Sequence, residues 1–133
     1  MLVYLDTNVV IYLVERPADL GGLAWARIAE LRSGGHTLVV THLVRMEARV
    51  GPMRQADGTS LAQFDAFFRG SEVKVLDVTA SMFDRAAEIR AGHRFNTPDS
   101  IHLAAAIVAG CEVFLTNDTR LQGFEGLKVE VLG

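Results

Sequence analysis

Cysteine is nearly missing from this chain. Cys111 is the only one, so no disulfide can form within it. A lone thiol fits a reducing compartment, and a cytoplasmic protein is expected. Lysine is almost as scarce, with Lys74 and Lys128 the only two. The net charge of -3 likewise argues against coating nucleic acid by bulk positive charge. It leaves room for a nuclease, because bound cations change the local field. Long apolar runs are absent too. The longest, Leu103 to Cys111 with Gly110 inside it, is too short to cross a bilayer, so no membrane association is expected. The opening MLVYLD lacks a basic segment and meets an acid at residue 6, unlike a signal peptide. There is no internal repeat and no Pro/Gly/Ser-rich linker, and 133 residues suit one domain spanning 1–133.

What the chain does have is apolar residues, 50% of the total, enough for a real core. They fall into alternating short β-branched runs and helical periods. LVYL (2–5) reads as a buried strand, and Asn8 to Val14 as a short helix capped by Thr7 or Asn8. ERPADLGG (15–22) reads as a loop, broken by proline and glycine. Leu20, Ala24, Ile28 and Leu31 recur at helical spacing until Gly34–Gly35. A strand follows at Thr37–Val40, then a helix in HLVRMEARVG (42–51) that ends near Gly51–Pro52. DGTS (57–60) reads as a turn with Ser60 as N-cap, before an aromatic helix face of Leu61, Phe64, Phe67 and Phe68. VKVLDV (73–78) is an expected strand, and Thr79 caps a helix to about Arg90. Thr97 is the expected cap of the next helix, with Pro98 first inside it and Gly110 at its end. EVFL (112–115) and LKVEVL (127–132) are the last strands. Strands alternating with helices predict an α/β fold whose parallel sheet is covered on both faces.

Two acids stand at equivalent places. Asp6 follows LVYL, and Asp118 follows VFLTN. In an open parallel sheet the carboxyl ends of the strands share one edge, where ligands bind. Asp99 opens the TPDS helix, and Glu47 on the 42–51 helix is within reach of that edge. Four acids gathered there would repel, and a hard divalent cation such as Mg²⁺ or Mn²⁺ removes the repulsion. Each residue also has a plainer use. Asp6 can cap a helix, Asp99 can complement a helix dipole, Asn117–Asp118 can form a turn, and Glu47 can lie on a solvated face. Thr7, Asn8, Ser100, Thr116 and Asn117 flank the acids, either to orient carboxylates or as ordinary caps. The histidines lack zinc-ligand spacing.

Taken in order, VYLDTNVVIY, VRMEARVG, TPDSIHLAAAI and FLTNDTRL resemble the four acidic motifs of PIN-domain ribonucleases, and most of all the VapC-type toxins of toxin–antitoxin pairs. The resemblance runs from residue 2 to about 132. It implies a three-layer α/β/α sandwich around a mostly parallel sheet, and an endoribonuclease that uses one or two Mg²⁺ or Mn²⁺ ions. Carried over by motif, the acids are Asp6, Glu47, Asp99 and Asp118, with Asn117 sharing the last position. The resemblance also implies an RNA substrate, a small cognate antitoxin and a homodimer.

Arg45, Arg49 and Arg54 near the second motif, and Arg90 and Arg94 before the third, are candidate phosphate contacts, Arg45, Arg49 and Arg94 foremost. Internal ion pairs are the alternative for each. His102 lies on an apolar helical face and reads as a packed histidine; His42 and His93 are not needed as bases. Val9, Ile11, Tyr12, Leu13 and the helix of Trp25 form a candidate interface, unless they are simply core. A haloacid-dehalogenase-like phosphatase would need a second acid two residues after the first, where Asn8 stands. A housekeeping PIN nuclease without an antitoxin, and a non-catalytic binding module on the same fold, remain the rival readings.

Overall fold

The computed structural model describes residues 1–133. Five strands, β1 (Leu2–Leu5), β2 (Thr37–Thr41), β3 (Lys74–Leu76), β4 (Val113–Thr116) and β5 (Lys128–Val131), form one all-parallel sheet in the order β3-β2-β1-β4-β5. Six helices flank it: α1 (Thr7–Glu15), α2 (Leu20–Ser33), α3 (His42–Arg54), α4 (Gly58–Arg69), α5 (Ala80–Gly92) and α6 (Thr97–Val108). A 3-10 turn, Thr119–Gly123, joins β4 to β5. The expected α/β sandwich is the observed one.

The central strand shows why both faces must be covered. Val3, Tyr4 and Leu5 are all fully buried, although neighbours along a strand point to opposite faces. Tyr4 lies in register with Phe114 of β4, and their rings stack at 5.2 Å. From β1 the chain first builds outward through β2 to β3, then returns to lay β4 on the other side of β1. The strand order therefore reverses between β1 and β4. The crevice outside their carboxyl ends is the place where such sheets bind ligands.

Several expected boundaries move, for local reasons. Thr79 caps α5 as expected, but three other caps lie earlier than expected. Asp6, not Thr7 or Asn8, caps α1 and accepts the Thr7 N–H. Asp57, not Ser60, caps α4, accepting from the Ser60 N–H. Asn96, not Thr97, caps α6 and accepts the Asp99 N–H. In each case a carboxylate or carboxamide upstream outcompetes the hydroxyl residue after it. α2 begins within the expected 15–22 loop. Gly21 sits inside its first turn because a Cβ there would lie 2.7 Å from the Arg16 Cα, so the glycine permits a close approach where a break was expected. Pro52 lies inside α3, which runs on to Arg54 because the Gln55 N–H still reaches the Gly51 carbonyl. Val9 and Leu13 belong to the core, while Ile11, Tyr12 and Trp25 pack partly buried against it. The apolar surface expected on α1 is therefore mostly interior. No helix is long and apolar enough to cross a membrane.

Candidate active site

Asp6 stands where β1 ends, and its backbone N–H still bonds the Leu115 carbonyl of β4 at 2.9 Å. The residue is 6% exposed. A buried carboxylate needs donors, and three are present. Oδ1 accepts the Thr7 N–H at 2.8 Å, while Oδ2 accepts the Thr116 hydroxyl at 2.7 Å and the Asn8 amide at 3.4 Å. Thr116, the last residue of β4, also accepts the Asp118 N–H at 3.0 Å. Thr7, Asn8 and Thr116 thus hold the acids in orientation.

Asn117 and Asp118 diverge. The Asn117 amide donates to the Tyr12 hydroxyl at 2.9 Å. Asp118 binds the Arg120 guanidinium, which also reaches Asp99 at 3.3 Å. Of the neighbouring pair, then, the acid shares a cation with Asp99 and the amide turns toward α1. Arg120 was not singled out from the sequence, although its place two residues after an acid in a turn was a usable signal. Its side chain is 68% exposed. Ser100 is buried with its hydroxyl unpartnered, and so holds neither acid.

Asp99 feels the charges of the other acids. Burial foremost, and then the negative charge of Asp6, hold Asp99 above the usual carboxylate range. Hydrogen bonding from Arg120 holds Asp118 below it. Glu47 on α3 joins through its neighbours. Its Oε1 accepts the Thr7 hydroxyl and the His102 Nε2–H, both at 2.6 Å. Burial disfavours its charge, but those bonds from His102 and Thr7 together outweigh burial and keep its pKa low.

His102 is packed, as expected, but not among apolar groups alone. Its Nδ1 meets the Tyr4 hydroxyl at 2.8 Å, and that hydroxyl meets Thr41 Oγ1 at 2.9 Å. Sequence reasoning missed this chain. Two periodicities pointed to it: Tyr4 shares a strand face with Asp6, and His102 is one helical turn from Asp99.

The other candidates lie apart. Arg49 is paired with Asp65 at 2.8 Å, and Arg90 bonds the Thr97 hydroxyl. Arg45 is half-buried and Arg94 exposed, neither in an ion pair. His42 faces Asp77, and His93 stacks on Phe95. The cavity of about 530 Å³ beside α5, lined by Arg85, His93 and Phe124 among others, includes none of the four acids.

The donor set fits a hard divalent cation. It is built from carboxylate oxygens, and a guanidinium stands in between two of them. No three Asp, Glu, His or Cys side chains are gathered as a ready-made ligand group.

The family model described as PIN domain matches residues 3–127. A search among curated proteins returned no match. Among solved structures, the chain is similar to one from Rickettsia felis VapBC2 bound to a promoter DNA fragment, with TM-score 0.83, 18% identity and 100% of both chains covered. It is also similar to VapC20 of Mycobacterium tuberculosis, described as a Sarcin-Ricin loop cleaving toxin, with TM-score 0.70, 17% identity and 94% and 98% of the two chains covered. VapBC-1 of nontypeable Haemophilus influenzae gives TM-score 0.74 at 21% identity, covering 98% of each chain.

Proposed function

The chain belongs to the PIN domain family, and from that premise we propose that it is a metal-dependent endoribonuclease acting as the toxin of a toxin–antitoxin pair. The observation that supports the reading is that Asp6 ends β1 and Asp118 follows β4, where the strand order reverses, with Arg120 bridging Asp118 to Asp99. Fold neighbours that are VapC toxins, matched over nearly their whole length, favour the toxin over a housekeeping nuclease.

Asp6, Asp99, Asp118 and Glu47 are the groups that would hold Mg²⁺ or Mn²⁺. When bound, such an ion supplies a water of lowered pKa and counter-charge for the phosphate oxygens. The chain supplies position. Three donors fix the Asp6 carboxylate, so it does not reorganise when an ion arrives. Thr7 links Asp6 to Glu47 by donating its N–H to one and its hydroxyl to the other. Arg45, Arg94 and an Arg120 released from its acids are the proposed phosphate contacts, whereas Arg49 must first leave Asp65. An antitoxin protein and a second copy of the chain are the proposed partners. A cytoplasmic location suits an RNA substrate. It also suits Cys111, whose thiol burial pushes up to about 11 and so keeps unreactive.

The test is RNA cleavage by the purified protein with Mg²⁺, Mn²⁺ or EDTA, beside Asp6→Ala and Asp99→Ala. Cleavage should need the metal and fall by about 100-fold or more in both variants, as expected when most of about 3 kcal/mol of transition-state stabilisation is lost. Full activity in Asp6→Ala would overturn the assignment.

A further inference from the structure

Glu47 differs from the other three acids in being tied to a buried histidine. His102 is 2% exposed, and Leu103 to Ala106 after it are fully buried. Both ring nitrogens are engaged. A carboxylate only accepts, so the Nε2 proton must point at Glu47 Oε1. In the neutral ring Nδ1 then accepts from the Tyr4 hydroxyl. Having given its one proton to His102, Tyr4 accepts from Thr41. With that ring the protons run in one direction, Thr41 to Tyr4 to His102 to Glu47, across β2, β1, α6 and α3. Oε1 of Glu47 receives the Thr7 hydroxyl as well. Two short donors saturate that oxygen and leave Oε2 free.

We propose that His102 is a positioning residue for the cation site: backed by Tyr4 and Thr41, it fixes Glu47 so that Oε1 stays with the protein and only Oε2 is offered to the ion. This rests on the reading that the acidic edge holds a divalent cation. A carboxylate held to one oxygen suits a small octahedral ion, Mg²⁺ or Mn²⁺, and handicaps Ca²⁺, whose larger shell takes carboxylates through both oxygens. His102 therefore tunes the choice of ion without touching it.

Calorimetric titration of Mn²⁺ and Ca²⁺ into the full chain tests this, with His102→Leu, His102→Gln, Tyr4→Phe, Glu47→Gln and the double variant His102→Leu/Glu47→Gln. Circular dichroism melts identify the folded variants. His102→Leu should weaken Mn²⁺ by about 10-fold or more, the usual cost of losing a partner behind a ligand. Ca²⁺ should weaken less, so the Mn²⁺ to Ca²⁺ preference falls. His102→Gln, which keeps a donor near the Nε2 position, should recover most of the loss, and Tyr4→Phe should show a smaller loss in the same direction. In the Glu47→Gln background His102→Leu should cost nothing further. Wild-type Mn²⁺ affinity in His102→Leu, or an equal loss with and without Glu47, overturns the proposal. If His102→Leu does not fold, an unchanged ion preference in Tyr4→Phe overturns it. A wild type that binds neither ion overturns the metal reading and this proposal with it. Mn²⁺ binding indifferent to Glu47→Gln leaves that reading standing and overturns this proposal alone.

Discussion

Burial and the neighbouring charges of Asp6 and Asp118 work against ionised Asp99, and the Arg120 guanidinium works for it. An acid whose folded pKa is raised costs stability once the pH passes its unfolded value, and the cost is complete above the folded value. Asp99→Asn removes that cost. In EDTA at neutral pH the variant should melt at a higher temperature than the wild type while cleaving no RNA, and the gap should close as acid protonates Asp99. A lower melting temperature across the whole range would show that Asp99 is not the strained member of the group. This is the familiar conflict between stability and a site built for function. At this scale the sequence showed which residues are acids and their order along the chain. Their present partners were less legible, because Arg120 and His102 reach the acids through space. Spacing along a helix or strand narrows such contacts without naming them.

Among the elements, α2 separates two adjacent glycines that look alike in sequence. A Cβ on Gly21 would meet the Arg16 backbone at 2.7 Å, whereas one on Gly22 meets nothing within 4 Å. Gly21→Ala should destabilise by about 1–3 kcal/mol through forced overlap. Gly22→Ala should stabilise by roughly 0.5–1 kcal/mol, as alanine is the better helix former. Guanidinium unfolding midpoints, compared at equal slopes, separate the two. A pair of glycines signals a break when read alone, and here that signal competed with the helical period that opens at Leu20. The strands were far more legible. LVYL, TLVV and VFL are β-branched and apolar because both their faces are buried, which is a property of the sequence itself. Caps were less so, since Asp57 with Ser60, and Asn96 with Thr97, offer competing oxygens at neighbouring positions, and backbone geometry chooses between them.

For the whole molecule, a net charge of -3 leaves RNA to be held by few cations. If Arg45, Arg94 and Arg120 carry the phosphate contacts, the logarithm of RNA affinity should fall against the logarithm of salt with a slope of about -2, since single strands give roughly -0.7 per contact. Fluorescence anisotropy with the Asp6→Ala protein and a non-cleavable RNA measures it. A slope near -6 would reveal a basic surface that has not been recognised. The sheet order has a further consequence, one of timing. β1 can pair with β2 after a short connection, but its other edge closes only when Val3 pairs with Val113, more than a hundred residues along the chain. Asp6 and Thr116 come together at that same moment. Until that pairing forms, the acidic edge is incomplete. So distant a pairing closes slowly, and the acidic edge is therefore among the last parts of the fold to be assembled.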